Sequence, residues 1–182
     1  MPPSSPSLPD GFELSIDPGR VDRAWVHRYL SEESYWALGR PRTTQDRAID
    51  GSTSFGLYRT GSGEQVGYAR LVTDGATFGW LCDVFVEASV RGAGLGRALV
   101  AAVTAHADSI GLGKVMLRTG DAHDLYASYG WRPLSDPDTW MSRPGRTVPE
   151  GPAVPSSRHD FTPRKRSLRS RFPGDPENDP HL

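Results

Sequence analysis

The chain has 182 residues, with 21 lysines and arginines against 22 aspartates and glutamates, so its formal net charge is −1. This length predicts one domain, and this balance excludes a strong general attraction to nucleic acid or to an anionic membrane. A single cysteine, Cys82, excludes an intrachain disulfide framework and a multi-cysteine metal site. No apolar run has the length of a transmembrane helix, and the start lacks the basic and apolar regions of a secretory signal. We therefore expect a cytoplasmic protein with no membrane partner.

The two ends of the chain are rich in proline and poor in apolar residues. Segments of this composition cannot bury enough apolar surface to offset the entropy lost on ordering. We predict a disordered tail over residues 1–10, one domain over 11–144 and a disordered Pro/Arg-rich tail over 145–182. The arginines of the second tail allow a nucleic-acid contact as an alternative, but the acidic surplus of the domain favours a solvated tail without such a partner.

Turn residues and hydrophobic periodicity predict the first elements of the domain. Alternation over residues 12–16 is typical of a half-buried strand, and an apolar stripe over 21–30 is typical of a helix. Thr43 is placed to cap a second helix that reaches Ile49. Three antiparallel strands joined by glycine-containing turns are then predicted: Thr53–Arg59, Gln65–Thr73 and residues 77–87.

After the third of these strands, the apolar period changes from that of a strand to that of a helix. Leu95, Leu99, Val103 and Ala107 recur every four residues, which predicts a long helix that ends near Gly111. A strand, a helix and two short strands or extended pieces are predicted to follow, over residues 114–119, 122–129, 131–134 and 139–142. Strands followed by a strand–helix–strand unit predict a mixed α/β, or α+β, sheet.

A glycine-rich turn, Arg91-Gly92-Ala93-Gly94-Leu95-Gly96, joins the third strand to the long helix. Free N–H groups at a helix start attract phosphate, and glycine lets the backbone approach the anion closely. The next residues, Arg97 and Ala98, do not supply the Lys-Ser/Thr of a P-loop, and the third glycine comes one residue too early for a dinucleotide fingerprint. We interpret the turn as a pyrophosphate cradle, and the alternative is a tight strand-to-helix connection alone.

This turn resembles the Arg/Gln-x-x-Gly-x-Gly/Ala signature of the GNAT acetyltransferases. A second stretch, residues 117–131, resembles the later motif of that family, a strand, a polar turn and a helix reading Tyr-x-x-x-Gly-Phe, with Trp131 in place of the common phenylalanine. The two motifs and the elements between them cover residues 50–135. The resemblance implies a GNAT fold, with a central mixed, mostly antiparallel sheet that is flanked by helices and splayed between its fourth and fifth strands.

The resemblance implies acetyl-CoA as co-substrate and no metal. The loop amides would hold the pyrophosphate, and the pantetheine arm would pair with the backbone of the strand that ends at Val86. The residues expected to contact the cofactor are Val84, Phe85, Val86, Arg91, Gly92, Ala93, Gly94, Leu95, Gly96, Arg97 and Thr119.

The resemblance also implies roles for individual side chains. Tyr126 is the expected acid that protonates the leaving CoA thiolate, and the alternative is a tyrosine that only packs in the core. Asp83 is expected to face the acceptor amine and relay its proton, and the alternative is a salt-bridged or solvent-facing carboxylate. Tyr35 and Trp36 are expected to wall the acceptor site, or else to pack as staples of a short helix. Glu32 and Glu33 are further candidates near the mouth of the site.

These features predict an N-acetyltransferase that moves an acetyl group from acetyl-CoA to a primary amine of a small molecule or a protein, by direct attack in a ternary complex. The alternative is a GNAT-fold module that senses CoA without turnover. The intact glycine loop together with Tyr126 favours the enzyme. The resemblance is compatible with a homodimer. The sequence does not indicate which amine is the acceptor.

Overall fold

The computed structural model describes residues 8–143, so the predicted tail 145–182 and residues 1–7 of the predicted tail 1–10 lie outside the described residues. The strands and helices are, in chain order, β1 (Phe12–Ser15), α1 (Arg23–Glu32), α2 (Arg42–Asp50), β2 (Thr53–Arg59), β3 (Gln65–Thr73), β4 (Phe78–Val86), α3 (Leu95–Ser109), β5 (Lys114–Leu117) and α4 (His123–Ala127). Short 3-10 turns lie at Pro18–Arg20, Ala88–Val90 and Pro137–Thr139. None of the helices within residues 8–143 is both long enough and apolar enough to cross a bilayer.

The five strands form one sheet in the order β1-β2-β3-β4-β5. The first four strands pair antiparallel, whereas β5 pairs parallel to β4. That parallel pairing spans only Phe78 to Leu81 of β4, and the strand then continues to Val86 without β5 beside it. The prediction of a mixed, mostly antiparallel sheet that splays between its fourth and fifth strands is confirmed.

Two apolar clusters hold the helices against the sheet. In one cluster, Leu99 and Val103 of α3 pack with buried leucines of the central strands, among them Leu71 and Leu81. In the other, α1 packs on Tyr68 and Phe85, and the ring of Tyr29 stacks on Phe85 at a centroid distance of 3.9 Å. Burial of each large side chain contributes roughly 1.5–3 kcal/mol, so both clusters stiffen β4, the strand on which they meet.

Local chemistry explains where the elements differ from the predictions. Helix α1 starts at Arg23 because Asp22 caps it, its carboxylate accepting from the backbone N–H of Trp25 at 2.9 Å. Thr43 does not cap α2: this helix starts one residue earlier, after the extended Pro41, with no side-chain cap bond. The prediction of a Thr43 cap was therefore wrong.

The C-terminal part of the domain is less regular than its periodicity predicts. Helix α4 is shorter than the predicted span of 122–129, and residues 131–134 and 139–142 form no strand. Pro133 and Pro137 interrupt this region, and proline has no backbone N–H to donate to a ladder. In the part of the chain that the structure describes, β5 is consequently the last strand of the sheet.

Candidate functional site

A cleft of about 1460 Å³ lies where β4 and β5 part. Its wall is formed by β4, the glycine loop before α3, the stretch from β5 into α4, and the segment that follows α1. A pocket for one drug-sized ligand usually measures roughly 300–1,000 Å³, so this cleft is larger than one such ligand requires.

The glycine loop has the geometry of an anion cradle. Gly92 and Gly94 adopt φ angles of 85° and 83°, and a Cβ built on either would meet no atom within 4 Å. Glycine is thus required here by the left-handed backbone and not by crowding. Gly94 is the N-cap of α3 and provides no side-chain cap, so the first N–H groups of this helix have no side-chain acceptor.

Two arginines flank this cradle. The Nε of Arg91 donates to the carbonyl oxygen of Val86 at 3.1 Å, and its NH2 donates to the hydroxyl of Tyr29 at 2.7 Å. These bonds tie the loop to the end of β4 and to α1. Arg97, on the first turn of α3, also lines the cleft. Both charges favour an anionic ligand beside the helix terminus.

A bulge in β4 sets the position of Asp83. Tyr68 pairs with Phe85 and Arg70 pairs with Cys82, so β4 carries one more residue than β3 between these two pairs. Asp83 takes up the irregularity with a φ of 53°, the single positive value among the non-glycine residues of the described range. Strict alternation from Leu81 would turn Asp83 toward the α3 side of the sheet, but the bulge turns it toward Arg70 instead.

The carboxylate of Asp83 is enclosed by two guanidinium groups. Its Oδ2 accepts from Arg40 at 2.7 Å and from Arg70 at 2.6 Å, and its side chain is 2% exposed. Burial opposes ionisation, but the two guanidiniums outweigh it and hold the pKa of Asp83 below its usual range. The group is therefore an ionised hydrogen-bond acceptor with little capacity to take up a further proton at neutral pH.

The phenol of Tyr126 faces the cleft from α4. Tyr126 is buried, and its ring packs against Trp131 at a centroid distance of 6.0 Å. Burial, with smaller effects of Asp121 and Tyr35, raises the pKa of Tyr126 to about 12. Among the hydrogen bonds within residues 8–143, none uses its hydroxyl. The phenol thus keeps its proton and has that proton available for a ligand.

Tyr35 and Trp36 are 40% and 42% exposed, so they do not pack as buried staples. Their rings meet edge to face at a centroid distance of 4.9 Å. The hydroxyl of Tyr35 would lie 3.3 Å from a Cβ built on Gly120, which places this ring close to the turn between β5 and α4. The pair therefore walls one end of the cleft and presents aromatic surface to its interior.

The cleft brings together most of the residues that the sequence singles out. The lining includes Tyr126, Asp83, Tyr35, Trp36 and Glu33, together with the expected cofactor contacts Val84, Phe85, Val86, Arg91, Gly92, Gly94, Leu95, Gly96, Arg97 and Thr119. Ala93 is the expected contact that does not line it. Thr119 has a second role, because its Oγ1 accepts from the N–H of Ala122 at 3.1 Å and so shapes the turn into α4.

Sequence reasoning missed Arg40, Arg70 and Trp80, all of which line the cleft. The position of Arg70 could have been noticed in the sequence, because a charged residue in the middle of an apolar strand is unfavourable unless it has a partner of opposite charge. The same signal in Asp83 could have suggested that the two residues meet. Arg40 carried none, because Gly39 and Pro41 on either side mark only a chain break.

The fit of the described residues to a CoA-type ligand can be judged from the walls of the cleft. The helix terminus offers N–H groups to a pyrophosphate, and β4 beyond Leu81 has a free backbone edge for an amide-bearing arm. Within residues 8–143 no group of three or more His, Cys, Asp or Glu side chains is arranged to hold a metal ion. The donor set suits a phosphorylated organic cofactor.

Comparison with known proteins gives a consistent family. The model of the acetyltransferase (GNAT) family matches residues 19–131. A crystal structure from Xanthomonas campestris pv. campestris, of a protein assigned as an acetyltransferase belonging to the GNAT family, is 42% identical with a TM-score of 0.70, covering 74% of this chain and 93% of that one.

Two curated relatives agree. The mycothiol acetyltransferase of Thermobispora bispora is 33% identical over 148 residues, which is 71% of this chain and 50% of that protein. A protein of Gibberella zeae assigned as an acetyltransferase is 34% identical over 103 residues, which is 47% of this chain and 58% of that protein. The chain thus spans about half the length of these two relatives.

Proposed function

The chain belongs to the GNAT family of acetyltransferases, and from this membership we propose that it transfers an acetyl group from acetyl-CoA to a primary amine of a small molecule or a protein. The amine attacks directly while both reactants occupy the cleft. The observation that carries the proposal is the placement of an anion cradle, a free strand edge and a protonated phenol around one cleft.

The backbone holds the cofactor in this proposal. The N–H groups at the start of α3, supported by Arg91 and Arg97, bind the pyrophosphate. The pantetheine arm binds along the edge of β4 over Val84 to Val86 that β5 leaves unpaired. On this edge, within residues 8–143, only the carbonyl oxygen of Val86 already accepts a hydrogen bond, from Arg91. Acetyl-CoA, when bound, supplies the activated acetyl thioester. A backbone N–H of this edge can donate to the thioester carbonyl oxygen and stabilise the negative charge that develops there.

Tyr126 is the proposed acid. A phenol with a pKa of about 12 stays protonated at neutral pH, so it can donate to the sulfur as the bond to the acetyl group breaks. Tyr126 lines the cleft, and no other group within residues 8–143 forms a hydrogen bond with its hydroxyl.

The environment of Asp83 supports a different role from that of proton acceptor. Its two ion pairs favour the ionised form without freeing the carboxylate, so we assign it the positioning of Arg40 and Arg70. Glu33 and Asp121 also line the cleft, and within the described residues neither forms an ion pair. We propose that water in contact with these two carboxylates takes the proton that the amine must lose.

The direct test is thiol release from acetyl-CoA with a panel of amines, using wild type, Tyr126→Phe and Tyr129→Phe. The second variant makes the same change three residues away, at a side chain that does not line the cleft. We expect amine-dependent release, reduced on the order of 100-fold in kcat by Tyr126→Phe and little changed by Tyr129→Phe.

Each other outcome has a defined meaning. Equal activity of both variants would remove Tyr126 from the mechanism. Tight CoA binding in calorimetry with no release for any amine would favour the sensor alternative. No CoA binding at all would overturn the assignment of the glycine loop.

A further inference from the structure

The inner end of the cleft carries one more buried positive charge than negative charge. The side chains of Arg40 and Arg70 are 19% and 13% exposed, and both pair with Asp83. Their further side-chain partners, Gln45 and Ser52, are neutral. Arginine stays protonated at any physiological pH, so the cluster has a net charge of about +1.

Nothing else in the described range balances this charge. The cleft carboxylates Glu33 and Asp121 form no ion pair with either arginine. A buried charge without a counter-ion is costly, and its cost rises when ligands expel water from the cleft. A ligand that brings its own negative charge to this point would remove that cost.

Both guanidiniums are held in position without a ligand. Arg40 follows Gly39, which has a φ of 68°, and the carbonyl oxygen of Arg40 lies 2.9 Å from Nε2 of His27. Arg70 is fixed in β3 by the bond from its Nε to Asp83. Guanidiniums that are already oriented bind a carboxylate or a phosphate with little further loss of side-chain entropy.

We propose that the acceptor carries an anionic group, a carboxylate or a phosphate, in addition to its amine, and that Arg40 and Arg70 bind this group. The inference rests on the proposed acetyl transfer and narrows its acceptor. Two tryptophans line the same cleft: Trp36 precedes Arg40 in the chain, and Trp80 pairs with Val72, two residues along β3 from Arg70. An acceptor with an apolar or ring portion next to its anionic group fits these surroundings.

The test uses matched probes that lack an amine, so that it measures binding apart from turnover. Calorimetry on the CoA-loaded full chain compares 3-phenylpropionate with 3-phenylpropanamide, which share a ring and a chain length and differ in charge. A second arm compares 2-phenylethyl phosphate with 2-phenylethanol and distinguishes a phosphate from a carboxylate. We expect the anion of at least one pair to bind about tenfold tighter than its neutral partner, as charge-assisted hydrogen bonds typically provide.

Substitutions assign the preference to the cluster. Arg40→Gln should bring the ratio of anion to neutral affinity close to one while leaving the neutral probe unchanged. Arg118→Gln makes the same change at another arginine that lines the same cleft, which is exposed and forms no ion pair within the described residues, and it should keep the ratio. Arg40→Lys retains the charge but loses the forked donors, so it should keep part of the preference, and it serves if the glutamine variant does not fold.

Equal binding of anion and neutral probe in both pairs, or no binding of any probe, would overturn the inference. So would an Arg40→Gln variant that weakens both members of a pair alike. Thiol release with phenylalanine and phenylalaninamide then separates the two proposals. Transfer to both amines without preference would contradict the anionic acceptor and leave acetyl transfer in place. Binding of the anionic probes without transfer to any amine would contradict the acetyltransferase proposal.

Discussion

Asp83 shows how much of this cleft depends on single residues. It is a buried carboxylate on a residue with a φ of 53°, and it is the shared partner of two arginines that come from distant parts of the chain. A left-handed backbone at a residue other than glycine is unfavourable, so contacts in the surrounding structure must stabilise it. Here the two ion pairs with Arg40 and Arg70 offset the backbone strain at Asp83, so the strained conformation and the ion pairs depend on each other.

Replacing Asp83 with asparagine should destabilise the fold, because it leaves two buried guanidiniums without a counter-charge. The expected loss at pH 7 is about 3 kcal/mol of unfolding free energy. The folded pKa of Asp83 lies below its unfolded value, so its contribution is present above the unfolded pKa and is lost as pH falls through the folded pKa. Denaturant unfolding of wild type and Asp83→Asn should therefore be measured between pH 2 and pH 8. The difference in their unfolding free energies should be largest at neutral pH and should decrease in acid.

Asp108→Asn is the control for that experiment, since this exposed carboxylate forms no ion pair within the described range. Its curve should follow wild type throughout. If the difference in unfolding free energy between wild type and Asp83→Asn stayed constant across the acid range, the ion pairs would not be the source of the stability. In activity assays, a folded variant that loses kcat with the KM for the acceptor unchanged would restore Asp83 as the proton acceptor, whereas a raised KM for the acceptor fits the positioning of the two arginines.

At the scale of elements, the loop and first turn of α3 separate two reasons for having glycine. Gly94 needs its left-handed φ of 83°, whereas Gly96 is already inside the helix, where a Cβ would lie 4.0 Å from Val86 in ordinary contact. Both line the cleft. Gly94 is therefore needed for its left-handed backbone conformation, whereas Gly96 leaves the space above the first turn of α3 free of a side chain.

Alanine at these two positions should give opposite effects on stability. Gly94→Ala is expected to lose about 1–2 kcal/mol of unfolding free energy because of the left-handed backbone. Gly96→Ala should gain up to about 1 kcal/mol, since alanine is the better helix former. Thermal unfolding measures both changes, and calorimetry with CoA should show weaker binding by Gly96→Ala despite its intact fold. Unchanged CoA affinity in that variant would place the pyrophosphate elsewhere.

The same elements show which parts of the fold could be predicted. Strands β2 and β3 have the predicted bounds because turns that contain glycine mark where each of them begins and ends. The bulge at Asp83 could not be predicted, since nothing in the local sequence shows that β4 gains a residue relative to β3. The C-terminal strands failed because prolines interrupt a pattern whose apolar spacing resembles that of a strand.

At the scale of the whole molecule, the cleft depends on the way that the sheet opens. The glycine loop and Tyr126 were identifiable from the sequence because each lies in a contiguous motif. Arg40 and Arg70 were not, because they meet Asp83 only after α1, β3 and β4 have packed together. Contacts between distant segments leave no periodic signal in a single sequence, so the contiguous motifs that line the cleft could be found from the sequence and the arginine pair around Asp83 could not.

For the proposed acetyl transfer, the size of the cleft also bears on the order in which the steps occur. With about 1460 Å³ of space, both reactants can be present together, and a covalent acetyl-enzyme is not needed to bridge separate sites. Cys82 is the thiol in the lining that could form such an intermediate. Burial raises its pKa to about 11, so it is protonated and a poor nucleophile at neutral pH.

Direct transfer predicts two results that a relay through Cys82 does not. Initial rates at varied acetyl-CoA and amine should give intersecting double-reciprocal lines, because both substrates must bind before any product leaves, whereas a relay gives the parallel lines of ping-pong kinetics. Cys82→Ala should keep kcat within about threefold of wild type, since the lost thiol takes no part in the chemistry and its removal changes only local packing. Parallel lines combined with loss of turnover in this variant would replace direct attack with a covalent mechanism.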